Sequence, residues 1–127
     1  MCKVNMLGYP INVDYGAHVK QRLRSRFDDM DIAYLEYRIE EVFSDEAVAD
    51  HLMNEVKIGE DVILIDEDSG ITFAVNVGTD TLYIMTVYNA FEYSGFRCGD
   101  HQQVLKYAEK SGFRPGRFER KRGNVYA

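Results

Sequence analysis

Cysteine and proline are scarce in this chain of 127 residues, which has two of each and no tryptophan. Cys2 and Cys98 stand far apart, and neither belongs to a C-x-x-C pair or another metal-ligand spacing. No disulfide framework and no metal site are therefore expected. Two free thiols suit a reducing compartment, so a cytoplasmic location is expected. No apolar run approaches the roughly 18 residues needed to cross a bilayer, which argues against a membrane partner. The opening stretch, Met1 to Gly8, lacks the long apolar segment of a signal peptide. A G-x-G-x-x-G turn and a P-loop are both missing, so no nucleotide or flavin cofactor is expected.

What is present suffices for one folded domain. Hydrophobic residues make up 46% and aromatics 13%, with nine Tyr and seven Phe, enough for a core without metal or disulfide support. The net charge of −6 is unevenly spread. Residues 1–27 carry +4, residues 28–68 carry −13, residues 69–101 carry −2 and residues 102–127 carry +5. Two basic segments thus flank an acidic middle, which leaves a polyanionic partner open if the basic segments meet in space.

Periodicity divides the chain into a helical first half and a stranded second half. Val19, Leu23 and Phe27 recur at i, i+4 and i+8, predicting a helix over 15–27 with Asp14 as its N-cap. Ile32, Leu35, Ile39, Val42 and Phe43 predict a second helix over 31–43. Ser44 or Asp45 caps a third, with Val48, Ala49, Leu52, Met53 and Val56 as its inner set. The period then drops to two. Strands at 61–66, 71–77 and 81–88, joined by tight turns at 67–70 and 78–80, predict a three-strand antiparallel meander. Val4–Leu7 is a candidate fourth strand. Residues 101–110 read as a short helix with Val104, Leu105 and Ala108 inward, followed by an irregular basic tail. The expected fold is α+β: N-terminal helices packed on an antiparallel β-meander, with a C-terminal helix and basic tail.

The strongest chemical pattern lies on the first helix. His18, Arg22 and Arg26 form a row about 100° from the apolar stripe. Histidine titrates near neutrality and suits proton transfer, while the arginine fork donates two hydrogen bonds to phosphate. RNA cleavage by 2′-hydroxyl attack needs those parts; the bland alternative is a solvated basic face. His51, on the third helix, is the second histidine candidate, and His101 reads as a capping residue. Thr86 and Tyr88, two apart on one strand, share a side and offer a hydroxyl and a stacking ring. Arg114, Arg117, Arg120, Lys121 and Arg122, interleaved with Phe113, Phe118 and Tyr126, form a candidate nucleic-acid segment. Ser94 to Gly99 and Ser111 to Gly116 are near repeats, read as two similar turns or two arginine-bearing phosphate loops.

The stretch Gly16-Ala17-His18-Val19-Lys20-Gln21-Arg22-Leu23-Arg24-Ser25-Arg26 resembles the His-xxx-Arg-xxx-Arg helix of RegB-type phage endoribonucleases, distant relatives of the RelE/ParE-like toxins. Asp50 to Val56 resembles the segment around the second histidine of that family, and the strand reading Met85-Thr86-Val87-Tyr88 suits a RelE-like layout. The resemblance implies a metal-independent endoribonuclease, with His18 and His51 as the proton-transfer pair and Arg22 as a phosphate contact. Two other function classes stand beside it. One is a non-catalytic phage-type or antitoxin-like protein that binds a host or cognate protein through its acidic 28–68 surface, Glu40, Glu41, Asp45 and Glu46 included. The other is an RNA-binding module without catalysis, reading RNA or ribosome-associated RNA.

Overall fold

The computed structural model describes residues 2–27, 30–89 and 103–116. The chain opens with strands, not helices: β1 (Cys2–Met6) and β2 (Tyr9–Tyr15) form a hairpin ahead of α1 (Ala17–Arg26), α2 (Ile32–Phe43) and α3 (Glu46–Asn54). Then follow β3 (Asp61–Asp66), β4 (Ile71–Val77), β5 (Thr81–Asn89), β6 (Gln103–Ala108) and β7 (Gly112–Arg114). The seven strands make one mixed sheet in the order β1-β2-β5-β4-β3-β6-β7.

This corrects the expected α+β layout of N-terminal helices on a meander. The meander β3-β4-β5 is present, with the pairs β3/β4 and β4/β5 antiparallel. It forms only the middle of a larger sheet. β2 adds to β5 in parallel and β6 adds to β3 in parallel. The residues expected as a C-terminal helix over 101–110 instead form β6, with Gln103, Leu105 and Tyr107 facing inward at period two. The free edge of β3 supplies the hydrogen-bonding partner that makes this conformation the stable one. Gly112–Arg114, expected to be irregular, pairs with β6 as β7. Asp14 is a strand residue paired beside Tyr83, and the first helix is entered through Gly16.

Local chemistry accounts for the elements. The β1–β2 turn is Leu7-Gly8, with φ of 54° and 88°, the two positive angles of a tight type I′ hairpin. Asp31 caps α2 through Tyr34 N–H, and Asp45 caps α3 through the N–H groups of Ala47 and Val48.

All three helices cover the same face of the sheet. Val4, Met6, Ile11, Val13, Val62, Leu64, Phe73, Val75, Ile84, Val87 and Leu105 lie on that face and join Val19, Leu23, Leu35, Ile39, Phe43 and Leu52 in one core. Phe43 and Phe73 meet edge to face at 5.5 Å. The sheet curls strongly enough that the β1–β2 turn and β7, from its opposite edges, border one depression beside α3.

Polar clamps fix the helices to the sheet. Asp66, fully buried, accepts from Arg38 Nε at 2.7 Å and from a terminal guanidinium nitrogen at 3.0 Å. Asp68 N–H and the Ser69 hydroxyl also donate to it. The Tyr15 hydroxyl donates to Glu36, tying β2 to α2. This bond holds the Glu36 carboxyl below its usual range, while burial first and then the bond raise the Tyr15 hydroxyl.

Candidate nucleic-acid interface

Helix α1 runs beside β5 and in the same direction. At its start, a Cβ on Gly16 would lie 3.2 Å from the Tyr83 hydroxyl. At its end, Arg26 donates to the Val87 carbonyl at 2.8 Å, and Asn89 donates back to the Arg26 carbonyl. A ten-residue helix spans about 15 Å, which matches about 17 Å for the five steps from Tyr83 to Tyr88.

The exposed carbonyl has a topological cause. β2 pairs with β5 only as far as Tyr15 opposite Ile84. Beyond that point the margin of β5 has no strand neighbour among the described residues, and Arg26 donates there instead. The Arg26 guanidinium also stacks over the Tyr88 ring, 4.5 Å from its centroid, a cation–π geometry.

Arg22 and His18 stand one and two turns earlier on the same row, both exposed. Neither side chain has a hydrogen bond or ion pair among the described residues. Arg26, Tyr88, His18 and Arg22 thus share one ridge, whose arginines form no ion pair with a carboxylate among the described residues. Thr86 is half-buried and shares the Tyr88 side of the strand.

Strict alternation along β5 hid Tyr83 from sequence reasoning. Counting by twos puts it on the side opposite Thr86 and Tyr88. A bulge intervenes: Val75 pairs with Ile84 but Ala74 with Thr86, so Met85 is the extra residue. Beyond the bulge the alternation resets, and Tyr83, Thr86 and Tyr88 face the same way, opposite Asn76, Ala74 and Thr72. Bulges re-aim side chains in this manner. Tyr83 is 44% exposed, so the ridge presents a second accessible ring.

His51 lies elsewhere. Its Nε2 is 2.6 Å from Gln103 Oε1, and its ring packs on Phe113 at 5.2 Å between centroids. Gln103 uses its amide N–H groups on the Glu55 carbonyl and on Glu60. Its oxygen must therefore accept, and His51 Nε2 is the donor. β6 lies three strand positions from β5 in the sheet, about 14 Å away, so His51 does not join the α1 row. Arg114 is held in an ion pair with Glu67. Arg117, Arg120, Lys121, Arg122 and His101 lie outside the described residues.

No helix among the described residues is long and apolar enough to cross a membrane. No protein-family model, curated protein or solved structure matches the chain.

Proposed function

We propose that the α1–β5 ridge binds RNA and cleaves it without metal, as the resemblance of α1 to RegB-type endoribonucleases implies, in a cytoplasmic setting. The observation that carries this reading is the un-neutralised His18–Arg22 row ending in the Arg26–Tyr88 stack. Arg22 holds the phosphate through its guanidinium fork. Tyr83 and Tyr88 stack on bases, a contact that tolerates any sequence. His18 takes the proton of a 2′-hydroxyl. The 2′-oxygen then attacks phosphorus, the bond to the 5′-oxygen breaks, and that oxygen is protonated by water. The products are a 2′,3′-cyclic phosphate and a 5′-hydroxyl.

With His51 engaged by Gln103, His18 is the one histidine of the ridge among the described residues and works without a second. Such a site forgoes the factor of about 10²–10⁴ that a positioned second proton-transfer group supplies. Slow turnover follows.

The test is incubation of the purified protein with labelled single-stranded RNA in EDTA, with end groups read by mass spectrometry. Cyclic phosphate ends are expected, with cleavage lost in His18→Ala and both binding and cleavage weakened in Arg22→Ala. Binding that fades steeply with salt but yields no cleavage would reduce the function to an RNA-binding module. Neither binding nor cleavage would overturn the reading.

A further inference from the structure

A second surface lies away from the α1–β5 ridge, and its chemistry is opposite. Leu7, Ala47, Gly112 and Phe113 form the walls of a depression of about 470 Å³, and Asp45, Glu46 and Asp50 stand at its border. The Glu46 carboxylate has no partner among the described residues, and Asp50 is held only by Asn54 through one oxygen. The surrounding stretch, residues 28–68, carries −13.

Leu7 is the informative residue. It occupies the left-handed region with φ of 54° and is 41% exposed. Asn or Gly serves that turn position with less strain. A leucine there is a poor choice for the turn and a good one for an apolar wall.

We propose that this depression docks a basic amphipathic segment of another protein. An aliphatic side chain of the partner sits against Leu7 and Phe113, and a neighbouring Lys or Arg lays its methylenes on the same wall and reaches Glu46 and Asp50. Charge complementarity selects the partner: among the described residues the charged groups of the lining are carboxylates only, which disfavours an acidic segment or a nucleic acid. The proposal does not depend on the RNA-directed reading, since no residue is shared between the two surfaces.

The experiment separates the docking role from a structural one. The probe is a fluorescein-labelled decapeptide of alternating Leu and Arg, titrated by fluorescence anisotropy. Decapeptides of Arg alone and of alternating Leu and Glu serve for comparison. Wild-type protein is expected to bind Leu-Arg tightest, Arg more weakly, and Leu-Glu not at all. Leu7→Asn relaxes the turn and removes the wall, so its melting temperature should equal or exceed the wild type while affinity for Leu-Arg falls about tenfold. Glu46→Gln with Asp50→Asn should weaken binding by about the same factor without touching the apolar wall. His18→Ala should leave peptide binding unchanged, so failure here and failure of the RNA reading are told apart. Wild-type affinity in both the Leu7 variant and the double variant would overturn the proposal, as would equal binding of the Leu-Glu peptide.

Discussion

Replacing Arg38 by leucine tests how α2 is fastened to the sheet. Asp66 has no solvent exposure and accepts from four donors, two of them on the Arg38 guanidinium. Without Arg38 the carboxylate keeps only the Asp68 N–H and the Ser69 hydroxyl, and its negative charge stays buried with no cation beside it. Breaking a buried pair in this way costs about 3–5 kcal/mol, a large share of the roughly 5–15 kcal/mol that holds a domain together. Urea unfolding followed by circular dichroism and tyrosine emission measures the loss; with nine Tyr and no Trp the chain is suited to the second probe. Glu67→Ala is the control. It breaks the Glu67–Arg114 pair, whose side chains are 38% and 43% exposed, and exposed pairs contribute only about 0–1 kcal/mol. Adding Asp66→Asn to Arg38→Leu removes the stranded charge, keeps an oxygen for the Asp68 N–H and turns an amide NH2 toward the Ser69 hydroxyl, whose oxygen can accept, so part of the loss should return. An Arg38→Leu loss no larger than that of Glu67→Ala would refute the argument.

Two further outcomes follow from buried polar groups. Thr72 is fully buried on β4, and its hydroxyl has no hydrogen-bond partner among the described residues. Thr72→Val keeps the shape and removes the unsatisfied group, so stability should rise by about 1 kcal/mol; a drop in the urea midpoint would count against this. The Tyr15–Glu36 bond gives a pH signature. Glu36 is depressed from its ordinary 4.5, so its share of stability is present above that value and lost as pH falls below it. Tyr15 is raised from its ordinary 10.0, so its share is present below that value and lost at higher alkalinity. The bond therefore stabilises between those limits, and Tyr15→Phe should flatten the stability profile on the acid side. An unchanged acid limb would remove the bond from the account.

The sequence alone determined whatever depends on near neighbours. The apolar rows Leu35, Ile39, Val42 and Val48, Ala49, Leu52 are local periodicities, and they placed α2 and the start of α3 to within a residue, although α3 ends at Asn54, before the expected inner residue Val56. Asp45, named with Ser44 as a cap, caps α3 through N–H groups two and three residues away, a signal contained in the local sequence. The turns at 67–70 and 78–80 set the meander for the same reason. His18, Arg22 and Arg26 were legible as a row because helical spacing alone puts them there.

Tertiary structure decided the rest, because the deciding partners are remote in the chain. β6 is a strand, and the β1–β2 hairpin joins the sheet, by virtue of edges that lie far away, as in Val62 beside Gln103 and Asn12 beside Thr81. With β3 taken away, the apolar pattern of Val104, Leu105 and Ala108 reads equally well as a helix. The Met85 bulge, which brings Tyr83 onto the ridge, is a mismatch between β4 and β5 and has no sign in either strand read singly. The stacking of Arg26 on Tyr88 exists because β2 stops at Tyr15 and leaves a carbonyl of β5 unpaired. In the sequence His51 read as a proton-transfer candidate and Arg38 had no assigned role; Gln103 and Asp66, 52 and 28 positions further on, gave them their places. Contacts across such separations depend on how the sheet is ordered, and strand order is a property of the whole chain.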